Sequence, residues 1–291
     1  MVADPQASRR EAAPAKVNLY LHLRGQRRDG YHLLDSLAVF PEIGDSLYLE
    51  AGPGLSLALG GPFGDGLPVS DDNLVMVAAR GLGRRAGLTD ANAALYLEKN
   101  LPVASGIGGG SSDAAAALRL LTRHWGVTLP DGLAASIGAD VPVCLAAPRP
   151  TVMAGIGDRL EPGQAMPGFW MVLVNPLVGV ETRAVFAATG RKDNLPPMAV
   201  PLTGLRDFAS LIGWLRQQRN DLTPAAIELC PLIGEVLTAL SDAPLARMSG
   251  SGATCFALFE SETLASAAAD NLRRAQPRWW VASAYVAPHR G

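Results

Sequence analysis

Hydrophobic and polar positions alternate cleanly from Lys16 to Leu23. Val17, Leu19, Leu21 and Leu23 fall on one side, and Lys16, Asn18, Tyr20 and His22 fall on the other. A period of two is that of a half-buried strand, so Lys16 and Asn18 are expected to point the same way. The turn signal Arg27-Arg28-Asp29-Gly30 and then Tyr31-His32 lead into the apolar run Leu33 to Phe40, and Ser46 to Glu50 predicts a further strand. Leu74 to Arg80 reads as helical and Ala93 to Glu98 as a strand. Ala114, Ala117, Leu118 and Leu121 then recur at i, i+3, i+4 and i+7, which places them on one face of a helix with Arg119 and Arg123 elsewhere on its surface. Leu133 to Ile137 predicts a short helix, Gly138-Ala139-Asp140-Val141-Pro142 a break, and Val143 to Ala146 a strand.

Pro148, Pro150, Pro162 and Pro167 punctuate the middle of the chain, and a domain boundary is placed there, between residues 1–160 and 161–291. The second part opens on a strand at Phe169 to Asn175. Helical patterns follow at Glu181 to Ala188, at Arg206 to Gln217 and within Thr223 to Leu240. A strand at Ala253 to Phe259, a helix at Thr263 to Arg274 and a strand at Trp279 to Val286 complete an α+β pattern without repeats.

Between the strand ending at Glu98 and the alanine-rich helix lies Pro102-Val103-Ala104-Ser105-Gly106-Ile107-Gly108-Gly109-Gly110-Ser111-Ser112. Glycines let successive N–H groups turn toward one centre, and the unpaired N–H groups of a helix start add partial positive charge. The expected guest is a phosphate, with Ser111 or Ser112 as the helix N-cap. A flexible linker fits poorly between a strand and a capped helix. The chain has no Gly-Lys pair, which excludes the P-loop pattern. Gly81-Leu82-Gly83-Arg84-Arg85-Ala86 matches a dinucleotide fingerprint by letter, but it follows a helical run and reads as a helix end. A second glycine-serine loop, Met248 to Thr254, stands before the Cys255 to Phe259 strand and suggests a second backbone clamp.

Bulk properties narrow the partners. With 291 residues, 48% of them hydrophobic, the chain can bury a sizeable core, and a formal charge of −2 argues against a broad nucleic-acid surface. The residues from Met1 to Ala12 have no apolar core of signal-peptide length and no later stretch has the length of a membrane span, so a cytoplasmic protein with a small-molecule substrate is expected. Cys144, Cys230 and Cys255 lack metal-ligand spacing and are expected to be buried free thiols. Only three of the 25 basic residues are lysines, Lys16, Lys99 and Lys192, so Lys16 stands out as a compact point charge where arginine is the default.

Pro-Ala-Lys-Val-Asn-Leu at 14–19, Gly-Ile-Gly-Gly-Gly-Ser-Ser at 106–112, Gly-Ala-Asp-Val-Pro at 138–142 and Ser-Gly-Ser-Gly-Ala at 249–253 together resemble the GHMP small-molecule kinases. Lys16-Val17-Asn18-Leu19 followed by Asp29-Gly30-Tyr31-His32 is similar to the branch acting on a cytidine diphosphate-linked polyol. The resemblance implies a two-domain α+β fold: an N-terminal ATP-binding domain, a C-terminal α+β domain, and the active site in the cleft between them. It implies ATP held by residues 102–112, Asp140 as catalytic base and Lys16 as its cationic partner. Phosphoryl transfer to an alcohol needs such a proton acceptor and such positive charge. Tyr31 and His32 are similar to the residues that hold the cytosine, with Phe186 closing its other side. Asn18 would bind substrate hydroxyls or orient Lys16, and Gly250, Ser251 and Gly252 would also line the substrate site. Magnesium is expected with ATP, held by phosphates and water. Asp113 is left open: a carboxylate beside a phosphate seat points outward, supports the helix start, or helps hold magnesium. A homoserine- or mevalonate-type kinase gives no reason for a Tyr31-His32 base platform. A non-catalytic nucleotide-binding module gives none for an intact Lys16 and Asp140.

Overall fold

The computed structural model describes residues 9–50, 52–65, 67, 69, 72–103, 105–190 and 204–290. The first half contains strands β1 (Arg10–Pro14), β2 (Val17–Gln26), β3 (His32–Val39), β4 (Gly44–Glu50), β5 (Leu55–Gly60) and β6 (Ala93–Glu98). Its helices are α1 (Leu74–Arg85), α2 (Gly109–Trp125), α3 (Leu133–Ile137) and α4 (Val141–Leu145). Strands β7 (Thr151–Gly155), β8 (Arg159–Pro162), β9 (Phe169–Asn175), β10 (Leu245–Met248), β11 (Cys255–Phe259) and β12 (Trp280–Val286) follow. The later helices are α5 (Thr182–Ala188), α6 (Phe208–Leu215), α7 (Thr223–Leu229), α8 (Leu232–Ala239) and α9 (Glu262–Ala275).

Two compact units form. One is drawn from 1–15, 44–103 and 108–146, the other from 16–43, 104–107 and 147–291. A single boundary at residue 160 does not describe them. β2 and β3 hydrogen-bond in the order β2-β3-β7-β8, so an early hairpin belongs with the later chain. The short Val143 to Ala146 run is helix α4 rather than a strand, with Pro142 in its first turn, where a missing N–H costs nothing.

In the first unit the sheet order is β1-β4-β6-β5. Only the β5–β6 pair is parallel, and α1 lies on the connection between these two strands. Asn73 caps α1 by accepting from Val75 N at 3.0 Å. Gly81 and Gly83 lie inside α1, where an added Cβ would come within 2.9 Å of Leu133 and of Ala91, so these glycines permit close packing. Helix α2 is buried from Ser112 to Leu118, because small alanines let it sit deep in the unit.

The second unit has the sheet β2-β3-β7-β8 and another in the order β10-β11-β9-β12, both wholly antiparallel. Cys255, Ala257 and Phe259 of β11 and Val172 and Val174 of β9 share a core with Ile233, Val236, Ala265 and Ala269 from the helices. Strand β2 is buried on both faces and its register with β3 shifts twice, so its polar face is enclosed and not wet as the alternation suggests. All three cysteines are buried free thiols. Among the described residues no helix is long and apolar enough to cross a membrane. Phe256, fully buried on β11, gives the prediction that Phe256→Ala lowers unfolding stability by about 3–5 kcal/mol in urea titration; a change under about 1 kcal/mol would contradict this packing.

Candidate active site

Within the second unit the separate sequence motifs meet through their backbones. Lys16 N donates to Ile107 O at 2.9 Å, Thr254 N to Ser105 O at 3.1 Å, and Ser249 Oγ to Gly106 O at 3.3 Å. Asn18 N in turn donates to Ser249 Oγ at 3.1 Å. Gly106 has φ +74°, and a Cβ there would lie 2.2 Å from Gly252 O, so only glycine fits. Asn220 holds the second glycine-serine loop by donating from Nδ2 to Met248 O and Gly250 O at 2.9 and 2.8 Å.

The side chains expected to bind substrate have distinct settings in this unit. Lys16 and Asn18 are buried; Asn18 Nδ2 donates to Ser36 Oγ at 2.7 Å and so spends its amide on β3. Tyr31 is exposed. The rings of His32 and Phe186 lie 5.3 Å apart at 34°, which brings together two residues 154 positions apart in sequence (186 − 32). Ser251 Oγ and Thr182 Oγ1 share a 2.9 Å hydrogen bond, which adds Thr182 at the start of α5 to this neighbourhood. Sequence reading missed Thr182, since nothing in its local pattern sets it apart.

In the first unit the glycine loop becomes helix α2. Neither serine is its N-cap: Gly108, at φ +66°, takes that place, and Ser112 N already donates to Gly108 O at 2.8 Å. A left-handed glycine ends the loop one turn earlier than a serine cap would. Ser112 Oγ is turned to Pro14 O at 2.7 Å. Pro102 and Val103 precede this segment in the same unit, while Ala104 lies outside the described residues. Asp140 stands at the head of α4, half-buried, making no side-chain cap bond to the helix.

Asp113 is neither an outward-pointing carboxylate nor set for a metal. It is buried, and its Oδ2 accepts from Lys99 Nζ at 2.7 Å. The same ammonium donates to Asp45 Oδ2, while Asp45 Oδ1 accepts from Asn100 N and Leu101 N at 2.5 and 2.8 Å. Burial pushes the Asp113 carboxyl up to about 8; the Lys99 charge opposes this and Asp45 adds to it. Burial also works against the charge on Lys99, but its contacts with Asp113 and Asp45 outweigh it and hold its proton more firmly than usual. Among the described residues no group of three or more His, Cys, Asp or Glu is placed to hold a metal.

Comparison with known proteins identifies the kinship. The model for the GHMP kinases N terminal domain matches residues 73–147, and that for GHMP kinases C terminal matches residues 199–278. A Cereibacter sphaeroides protein named 4-diphosphocytidyl-2-C-methyl-D-erythritol kinase is 54% identical over 277 residues, covering 94% of this chain and 97% of its own. A Paracoccus denitrificans protein of the same name is 54% identical over 282 residues, covering 96% and 97%. A crystal structure of 4-(cytidine 5'-diphospho)-2C-methyl-D-erythritol kinase aligns with a TM-score of 0.77 at 34% identity, covering 94% of this chain and 98% of that one. The L. major mevalonate kinase shares the fold, with a TM-score of 0.66 at 16% identity.

The raised Asp113 carboxyl fixes a sign. In the unfolded chain it titrates near 3.8 and in the fold near 8, so between these values folding takes up a proton and stability falls as pH rises. The slope for one proton is at most about 1.4 kcal/mol per pH unit. Asp113→Asn removes it. The melting temperature of the variant relative to wild type is therefore expected to climb from pH 5 to pH 8, and parallel curves would contradict the assignment.

Proposed function

The chain belongs to the GHMP kinase family, and from that we propose that it transfers the γ-phosphoryl group of ATP to the 2-hydroxyl of 4-diphosphocytidyl-2-C-methyl-D-erythritol, yielding the 2-phosphate and ADP. The observation that carries this reading is the 54% identity to kinases of that name across nearly the whole chain, with every motif residue it needs in place. Fold alone does not choose the substrate, because homoserine and mevalonate kinases align at TM-scores of 0.61 and 0.66 with 17% and 16% identity.

In this reading the N–H groups of the glycine loop up to Ser111, at the start of the 17-residue helix α2, receive the phosphates of ATP. The acceptor oxygen bonds to the γ-phosphorus as the bond from that phosphorus to the bridging oxygen breaks, and ADP leaves with the electron pair. Lys16 stabilises the charge on the transferring group, and Asp140 orients the hydroxyl and takes its proton. His32 and Phe186, already neighbours, hold the cytosine with Tyr31, whose exposed ring is free to stack on a flat base. Asn18, at the start of β2, supports Lys16 just before that strand, and the loop 250–252 lines the substrate site. Magnesium would come with the nucleotide, coordinated by phosphate and water. Asp113 does not fit as its ligand, being committed to Lys99.

Two experiments test the reading. ATP consumption is expected with the cytidyl substrate and to fall at least tenfold with its uridyl analogue; turnover of mevalonate or homoserine in place of the cytidyl compound would overturn the assignment. Asp140→Asn is expected to lower kcat by about 10² or more while ATP affinity stays within a few fold. Near-normal turnover would remove Asp140 from its role.

A further inference from the structure

The glycine loop begins and ends on one buried charge cluster. At its entry, Asn100 N and Leu101 N are both held by Asp45 Oδ1, on strand β4. At its exit, Asp113, the fifth residue of α2, accepts from Lys99 Nζ, and Lys99 is bonded to the other oxygen of the same Asp45. Residues 102–112, the stretch assigned to ATP, thus run between two tethers that converge on one Asp45–Lys99 pair. A Cβ on Gly109 would lie 3.6 Å from Lys99 Nζ and 3.8 Å from Asp45 Oδ2, which places the pair directly against the helix start.

The two carboxylates are not equivalent. Asp45 receives donors on both oxygens, whereas Asp113 Oδ1 is buried and accepts no hydrogen bond. A carboxylate charge is stable where donors surround it and costly where they do not. The negative charge therefore resides on Asp45 opposite Lys99, and Asp113 is a neutral acid that accepts through Oδ2. A single ammonium and a single carboxylate cancel, so the floor beneath the phosphate seat carries no net negative charge to repel ATP.

We infer that Asp45, Lys99 and Asp113 are positioning residues that fix the entry and exit of the nucleotide loop, and that the contact from Asp113 to Lys99 sets the loop's ability to bind ATP. The inference rests on the assignment of residues 102–112 to ATP. It differs from any role in chemistry, since none of the three is assigned to touch the acceptor.

Calorimetric titration of the full chain with ATP, and separately with cytidine diphosphate, tests it. Asp113→Ala removes the exit tether and is expected to weaken ATP binding at least tenfold while cytidine diphosphate binding stays within twofold. Asp113→Asn keeps an oxygen for Lys99 and is expected to rescue ATP affinity to within threefold of wild type. Equal ATP affinity in Asp113→Ala and wild type, a loss in Asp113→Asn as large as in Asp113→Ala, or parallel losses for both nucleotides would each overturn the inference. If Asp113→Ala does not fold, Asp113→Ser, too short to reach Lys99, takes its place with the same readings, and failure of both to fold overturns a positioning role. A wild-type chain that binds no ATP would instead sink the nucleotide assignment itself.

Discussion

Two glycines hold the second unit's motifs in register. Gly106 presses its Cα side against the carbonyl of Gly252, and around that contact the chain exchanges hydrogen bonds among Lys16, Asn18, Ser105, Ile107, Ser249 and Thr254. Positions far apart in sequence are thereby set by hydrogen bonds between main-chain groups and through the Ser249 hydroxyl, which tolerate little drift in length or angle. Side-chain packing adjusts to substitution, but a backbone contact of 2.2 Å from an imagined Cβ does not. Lys16 inherits its location from this arrangement, since its own N–H is one of the bonds.

Charge is handled in the interior of both units by saturating it with donors or acceptors. Arg247, on β10, gives its guanidinium to Leu19 O, Leu215 O and Gln218 O at 2.7 to 2.9 Å and so ties β2 to the end of α6 and the turn that follows it. Burial lowers its pKa to about 10, which still leaves it charged at neutral pH. Lys99 is served by two aspartates in place of carbonyls. The cost of burying each cation is offset only while its partners remain, which is why such groups specify geometry more than they add stability.

Much of this was legible in the chain. The strand from Lys16, the helix from Ala114 and most elements of the second half follow from apolar periodicity, because each has one face to bury. Strands β1, β5, β7, β8 and β10 were not read. Arg159 to Pro162, for example, has no alternation of its own and is a strand only because Thr151 to Ala154 pairs with it. The cap of α2 was misplaced because a left-handed glycine does the work of a serine, and Val143 to Ala146 because a short apolar run has no period to measure. Asp45 and Lys99 were missed since their contact spans 54 residues, yet the signal existed. The scarcity of lysine that singled out Lys16 applies equally to Lys99.

The close approach of Gly106 to Gly252 fixes the place of Lys16, and Gly106→Ala tests this most directly. Steady-state kinetics of the variant, alongside its thermal unfolding, should show kcat/KM for ATP reduced by about a hundredfold or more in a chain that remains folded. A folded variant with kcat/KM within threefold of wild type would contradict the claim.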